Sequence, residues 1–498
     1  MTAALNAGRR RAELDGLGDV DVLVIGGGVT GVGTALDAVT RGLRVALVEA
    51  HDLAFGTSRW SSKLVHGGLR YLASGRVGVA RESAVERHIL MTRTAPHLIR
   101  ALPQVVPLLP EVRHRALIRA GFLAGDALRA TARTPAALLP RARRVNAATT
   151  RALTPAVRPD GLDGGLVAHD GQLIDDARLV VTIARTAAAH GATVLTRVRA
   201  SDVTGTSATL TDTLTGSSLT VGAKAVINAT GVWAGEVDPS MRLRPSRGTH
   251  LVFDAATFGD PRGALTVPVP GSISRFVFAL PQQLGRVILG LTDEDAPGPI
   301  PDEPVPTDAE IDFLLATINT ALARELTRED VRGAFAGLRP LLDTADGNTA
   351  DVSRRHAVVE SPQGVITVVG GKLTTYRRMA QDAVDAAVRL RGLSAAACRT
   401  RDLPLIGAAD GAAPRGLPAS LVARHGRAAR AVIDAATVAD SLGTIAAGID
   451  VTRAEVEFAV THEGALDVDD VLHRRTRIGL VAADAERARA AVEEILGS

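Results

Sequence analysis

Cysteine is nearly absent from this chain of 498 residues, which holds Cys398 alone. One thiol excludes a disulfide framework, a cysteine-held iron–sulfur cluster and a zinc knuckle. Aromatic residues make up 3% of the chain, and of its 57 cations only Lys63, Lys224 and Lys372 are lysines. No apolar run approaches the roughly 20 residues that span a bilayer. Glu13 and Asp15 follow Arg9, Arg10 and Arg11, where a secretory signal would carry its apolar stretch. These absences point to a cytosolic protein. What is present is a 46% apolar composition, ample for burial, at a length that calls for two or three domains rather than one core.

The rare residues are not scattered. Tyrosine occurs only as Tyr71 and Tyr376, and tryptophan only as Trp60 and Trp233. With the lysines these make seven positions, of which Trp60, Lys63, Tyr71, Lys372 and Tyr376 crowd into 60–71 and 372–376. A coding bias towards Ala, Arg and Gly explains scarcity but not bunching. Those two segments must place particular chemical groups.

The first segment with a mechanism lies near the start. Val20 to Ile25 reads as a buried strand, Gly26 to Gly31 as G-x-G-x-x-G, and the stretch to Arg41 as a helix closed by Gly42. A second strand, Leu43 to Val48, ends at Glu49, 23 positions after Gly26. In this βαβ pattern Gly26 allows the tight turn, Gly28 lets a pyrophosphate approach the backbone, and Gly31 lets helix pack on strand. The helix N-terminus receives the pyrophosphate, and Glu49 accepts hydrogen bonds from a ribose. A further apolar strand runs from Ala225 into Ala229-Thr230-Gly231, whose small residues let the chain pass close to a dinucleotide. It resembles the second fingerprint of glutathione-reductase-type flavoproteins.

Two longer stretches make the resemblance specific. Gly56-Thr57-Ser58-Arg59-Trp60-Ser61-Ser62-Lys63-Leu64-Val65-His66-Gly67-Gly68-Leu69-Arg70-Tyr71-Leu72 and Gly370-Gly371-Lys372-Leu373-Thr374-Thr375-Tyr376-Arg377 resemble signatures of the FAD-dependent glycerol-3-phosphate dehydrogenases. Asp175 to Leu179, Gly248-Thr249-His250, Phe278 to Pro281, Gly290 to Asp293 and Gly337 to Pro340 follow in that family's order, and Thr461 to Arg477 resembles its helical cap. The likeness runs from about residue 19 to the end. It implies an α/β fold (α+β overall): a glutathione-reductase-type FAD-binding Rossmann domain, a β-rich substrate domain and an α-helical C-terminal cap. It also implies oxidation of sn-glycerol 3-phosphate to dihydroxyacetone phosphate, with electrons passed to a membrane quinone, as in the aerobic members. Thr57, Ser58, Ser61, Ser62, Lys63, His66 and Gly67 then join Gly26, Gly28, Gly31, Glu49, Ala229, Thr230, Gly231, Gly371, Lys372, Leu373 and Thr374 around the cofactor.

Oxidising a secondary alcohol on a phosphate ester needs a phosphate clamp, an oriented carbinol and a proton acceptor. By the resemblance Arg70, Arg339 and Arg354 form the clamp, since the guanidinium fork suits phosphate, and Tyr71 adds a hydrogen bond. Arg275 is a weaker candidate. Lys372 stands out from composition alone, as a compact ammonium beside Gly370 and Gly371 that stabilises developing negative charge. His250, after a Gly-Thr turn, is the candidate base near pH 7, with a structural hydrogen-bonding role as its rival. Asp293 either holds a histidine's tautomer or touches the substrate hydroxyls. Leu291 stands where the family carries Thr, and Arg355-His356 follow Arg354 where Asp and Tyr are usual, which leaves open which arginine turns inward.

Residues 100–144 are rich in arginine. On a helix Arg115, Arg119, Arg129 and Arg133 share one side, with Leu117, Ala120, Ala124 and Leu128 opposite and Phe122 among the arginines. Such a helix suits peripheral contact with an anionic inner membrane face. The pI near 9.5 also fits nucleic acid, but no nucleic-acid motif accompanies it. The expected organisation is a flexible leader over 1–18 and a discontinuous FAD domain over 19–80, 155–240 and 340–395. The substrate domain, with the basic helix, takes 81–154 and 241–339, and the helical cap takes 400–498. A homodimer is left open. An oxygen-using glycerol-3-phosphate oxidase, an amine or amino-acid oxidase and a non-catalytic flavin-binding module are the rival readings.

Overall fold

The computed structural model describes residues 4–68, 75–272, 275–343, 355–409, 411–412 and 414–497. At its centre the strand Val20–Ile25 pairs in parallel with Val45–Val48 on one side and with Ser218–Asn228 on the other. Thr193–Leu195 and Ile366–Val369 extend the sheet in parallel, and Ala357–Glu360 closes one edge antiparallel. Parallel strands bury both faces, and this chain supplies cover for each. Val22, Val24 and Leu47 pack under the helices Val29–Thr40, Asp176–Ala189 and Tyr376–Arg391. Leu23, Ile25 and Val48 pack instead against Leu14, Val198 and Leu210.

Leu14 belongs to the supposed leader, and the expectation of a flexible 1–18 is corrected over its described residues. Ala7–Asp15 is a helix whose first turn is capped by the Asn6 side chain accepting the Arg9 N–H at 2.9 Å. Buried Arg10 pairs with Asp212 at 2.5 Å and donates to the Thr196 carbonyl at 2.6 Å. A guanidinium with a buried acid and a buried carbonyl waiting for it is not free to wander.

The second sheet is mainly antiparallel. Its long strand Leu243–Asp254 pairs with Gly333–Leu342 on one side and with Arg286–Gly290 on the other. Phe276–Pro281, Ala264–Pro268, Ile99–Pro107, Gly165–Leu173 and Leu64–Val65 then follow in that order. The expected boundaries shift here. Leu64–Val65 and Gly165–Leu173, assigned above to FAD-domain segments, lie in this second sheet, because Gly165–Leu173 pairs along its whole length with Ile99–Pro107. Helix Asp308–Asn319 covers the outer face through Leu314, Leu315 and Ile318.

Residues 414–497 form the helices Ala419–His425, Ala429–Asp434, Arg453–His462 and Ala482–Gly497 around a small hairpin, Thr444–Ala446 with Ile449–Thr452. This unit is bolted to the rest by buried charge. The Asp52 carboxylate accepts from Arg474 Nε at 2.6 Å and from both terminal nitrogens of Arg475 at 2.8 Å, and these guanidinium groups hold its pKa down to about 2. Arg477 donates to the Arg59 carbonyl at 2.5 Å and lies 3.5 Å from Asp175. Arg178 pairs with Glu463.

The basic helix spans Arg115–Thr131, with two corrections to its expected faces. Arg129 is buried and donates to the Thr134 carbonyl at 2.7 Å, so it leaves the basic face. Phe122 turns inward onto Ile118, Val106 and Phe276 rather than out. Leu128 packs inward too, while Leu117 and Leu123 are about half exposed, at 51% and 53%. Among the described residues no helix is long and apolar enough to cross a membrane.

Candidate active site

Between the two sheets runs one cavity of about 1120 Å³. One wall comes from the parallel sheet: Gly26, Gly28, Glu49, Ala229, Thr230 and Gly231, with Gly370 to Thr374 beside them. Gly26 sits at φ +114°, and a β-carbon there would stand 2.7 Å from the Ala229 carbonyl oxygen. A β-carbon on Gly31 would collide with the Gly26 carbonyl, so the third glycine lies off the cavity and lets the helix sit on the loop. Gly28 is the N-cap of that helix and offers no side chain, which leaves the helix N-terminus open to an anion. Ser58 Oγ accepts the Val29 N–H at 2.9 Å in that gap. Glu49 accepts the N–H groups of Gly27 at 2.6 Å and His51 at 2.9 Å, and burial raises its pKa. An uncapped helix start, a cradle that a β-carbon would narrow and a carboxylate at the end of the second strand together fit the pyrophosphate and ribose of FAD.

The facing wall comes from the antiparallel sheet. His250 lies on the long strand opposite Phe335, Arg339 lies on the adjacent strand opposite Ser246, and Asp293 follows the strand Arg286–Gly290. Arg339 donates to Asp293 Oδ1 at 3.1 Å, to Ser246 Oγ at 3.2 Å and to the Thr292 carbonyl at 3.1 Å. Gly248 makes room for it, since a β-carbon there would collide with the guanidinium. Asp293 is thus the arginine's partner. The Ser62 hydroxyl shares a hydrogen bond with His250 Nε2 at 2.8 Å. Phe335 stacks on the imidazole at 4.8 Å, and a β-carbon on Gly290 would strike it. Burial, with Lys63 and Arg339 nearby, pulls the His250 pKa down to about 3. The ring is neutral near pH 7, but it is a far weaker resting base than the sequence reading supposed.

Lys372 lines the cavity between the two walls and donates to Ser83 Oγ from the helix Val77–Ile89. Gly370 and Gly371, at φ +76° and +70°, carry it there. Ser58, Ser61, Ser62, Thr57 and His66 also line the cavity, although several hydroxyls are engaged with protein. Thr57 donates to the Leu338 carbonyl at 2.7 Å, and Ser61 to Asp176 at 2.7 Å. Lys63 and Gly67 are not on the wall. Lys63 is buried behind it, paired with Asp176 at 3.3 Å. The Gly67 N–H donates to Asp170, itself paired with Arg87 at 2.6 Å. Arg275 borders the cavity, partly exposed, 3.9 Å from Glu294. Arg355 is exposed and lies off the wall. Arg70, Tyr71 and Arg354 lie outside the described residues.

Sequence reasoning missed Ser83 and Arg87 altogether, and it quoted Asp176 without a role. No local pattern marks them, because each partner lies far off in the chain. The one available signal was indirect: a lysine as rare as Lys63 needs a buried acid, and Asp175-Asp176 is the acidic pair quoted with the family stretches.

Comparisons with known proteins agree with this architecture. A family model described as FAD dependent oxidoreductase matches residues 21–377, and one described as the C-terminal domain of alpha-glycerophosphate oxidase matches 398–498. The chain is 66% identical over 509 aligned positions to glycerol-3-phosphate dehydrogenase 1 of Mycobacterium tuberculosis, covering 99% of both chains. It is 38% identical to the glycerol-3-phosphate dehydrogenase of Mycobacterium leprae, across 96% of this chain and 84% of that one. Among solved structures, the FAD-complexed glycerol-3-phosphate dehydrogenase of Bacillus halodurans superposes with a TM-score of 0.74 at 25% identity. That match covers 100% of this chain and 94% of the other.

Proposed function

We propose that this chain, which belongs to the FAD-dependent glycerol-3-phosphate dehydrogenase family, oxidises sn-glycerol 3-phosphate to dihydroxyacetone phosphate and delivers the electrons to a membrane quinone. Its cofactor is FAD. The observation that carries the reading is the pairing of walls: a glycine-rich dinucleotide cradle faces Arg339 and His250 across one cavity, with Lys372 between them.

Bound FAD supplies a two-electron acceptor for the carbinol hydrogen. The protein's own groups do the rest. Arg339, pre-aligned by Asp293 and the Thr292 carbonyl, receives the phosphate in the company of Arg70, Tyr71 and Arg354. Lys372, fixed by Ser83, stabilises negative charge growing on the substrate oxygen. His250 takes the hydroxyl proton. Its basicity is depressed by burial and by two cations, so a dianionic substrate beside it opposes those cations and raises its affinity for a proton only in the complex. His250 Nε2 is joined to the Ser62 hydroxyl and Nδ1 is buried, so the proton passes through Ser62, whose hydroxyl gives its own proton to Nε2 as it takes the substrate's.

The same reading sets the protein against an anionic membrane surface through the helix Arg115–Thr131, where half-exposed Leu117 and Leu123 stand near exposed Arg113, Arg119 and Arg133. Anaerobic mixing with sn-glycerol 3-phosphate tests the core of the proposal. The flavin absorption bleaches with that substrate and stays unchanged with glycerol or amino acids. A flavin that no glycerol phosphate reduces would sink the reading, and stoichiometric peroxide in air would move the acceptor from quinone to oxygen.

A further inference from the structure

The ladder of the cationic wall is interrupted beside Arg339. On the long strand Leu243–Asp254, His250 stands opposite Gly290 and Arg247 opposite Glu294. Gly248 and Thr249 therefore face three residues, Leu291, Thr292 and Asp293, and the stretch is a β-bulge. Thr292 is 1% exposed, and its hydroxyl makes two bonds. The oxygen accepts the Thr249 N–H at 2.9 Å, a bond that a backbone carbonyl would take in an unbroken ladder. The proton goes to Glu310 Oε1 at 2.8 Å. The Thr292 carbonyl, left out of the ladder, accepts from Arg339 at 3.1 Å.

Glu310 reaches the bulge from the outer helix Asp308–Asn319, whose first turn it also caps. Its Oε2 accepts from the Thr307 N–H at 3.0 Å, the Thr307 hydroxyl at 2.9 Å and Arg247 Nε at 2.8 Å. The cap uses Oε2, and Oε1 serves the bulge. The side chain is 4% exposed; burial opposes its ionisation, but hydrogen bonds from Thr307, Thr292 and Arg247 hold its pKa below the ordinary value. Near pH 7 it is a carboxylate, able only to accept. A hydroxyl beside an acceptor-only group points its proton there, which turns its lone pairs towards the Thr249 N–H. Glu310 does not line the cavity, so its influence on the wall passes through Thr292.

We propose that Glu310 is a positioning residue for Arg339: through the Thr292 hydroxyl it sets the bulge that aims the Thr292 carbonyl at the guanidinium, and so sets where the substrate phosphate is received. The proposal rests on the reading of Arg339 as the phosphate clamp and carries that clamp back to an acid on the far side of the sheet.

Anaerobic flavin bleaching of the FAD-loaded protein at graded sn-glycerol 3-phosphate tests it. In Glu310→Gln the donors of Thr307 and Arg247 claim the single amide oxygen, so the amide nitrogen turns to Thr292 and the hydroxyl loses its acceptor. The half-saturating substrate concentration rises about tenfold, the limiting rate falls by about twofold at most, and flavin content does not change. Thr292→Val, which leaves the helix cap intact, shows the same shift, and Thr292→Ser, which returns the hydroxyl, recovers most of it. A double-mutant cycle separates positioning from general damage. Added to Arg339→Ala, Glu310→Gln lowers the second-order bleaching rate by less than about twofold, because the group it positions is gone. A further loss of about tenfold in that background would overturn the proposal. So would wild-type half-saturation in both Glu310→Gln and Thr292→Val. A wild type that glycerol phosphate does not bleach sinks the functional reading and this proposal together, whereas a bleaching wild type with indifferent variants sinks this proposal alone.

Discussion

The two walls of the cavity are built on different principles. The cofactor wall is largely backbone: glycines at 26 and 28 with Gly31 behind them, a helix start whose N-cap carries no side chain, and one acid held by neighbouring N–H groups. The substrate wall is built from charged side chains that other, distant side chains hold in place. Arg339 leans on Asp293 and Ser246, and His250 on Ser62, while Lys372, between the walls, leans on Ser83. A backbone cradle tolerates little change and is written in consecutive residues. A side-chain clamp can be retuned one partner at a time, and it is written in residues scattered along the chain.

Substitutions that ought to separate the walls test this contrast. The largest effect belongs to Gly31→Val, whose side chain would collide with the Gly26 carbonyl. We expect protein without flavin, and a stability loss of about 3 kcal/mol or more; a yellow protein with native melting would break the comparison. Next is Arg339→Ala, which keeps its flavin but loses kcat/KM for glycerol phosphate by about 1,000-fold, near 4 kcal/mol. Loss of flavin in step with activity would mean the walls are not separable. Lys372→Met follows, with about a 100-fold loss concentrated in kcat; an unchanged kcat removes its charge-stabilising role. The smallest effect is on pH. Burial holds His97 at about 4, and burial with two cations holds His250 at about 3, both below the ordinary imidazole value. Below that value the unfolded chain binds more protons than the folded one, so stability is full above about pH 6.5 and falls as the pH drops towards 4. The slope is at most about 1.4 kcal/mol per pH unit for each group. Melting temperatures between about pH 7 and pH 5 should decline, and less steeply in His97→Leu. Parallel slopes would discharge His97 from that role.

The same contrast explains what could be read before the fold was known. The strand, glycine loop, helix and Glu49 form one local pattern, and the fold reproduces it because Gly31 answers to Gly26 within the loop and Gly26 to Ala229 at the end of the adjacent strand. Lys372 could be singled out because lysine is rare here. The partners were not legible. Ser83 lies 289 residues from Lys372, Asp176 lies 113 from Lys63, and Ser62 lies 188 from His250. No spacing rule covers such pairs, because tertiary packing alone brings them together. The amino-terminal helix was missed for a related reason. Its charged, weakly amphipathic stretch looks solvated until Asp212 and the Thr196 carbonyl are seen waiting for Arg10.

One feature of the fold governs the order of assembly. Asp52 and Arg59, which flank the loop running to the cofactor wall, are clasped by Arg474, Arg475 and Arg477. On a translating ribosome that clasp cannot close until residue 477 has cleared the exit tunnel. A chain cut before Arg474 leaves the buried Asp52 carboxylate without its guanidinium partners, and we expect it to hold flavin less well, which flavin absorbance at matched protein concentration checks.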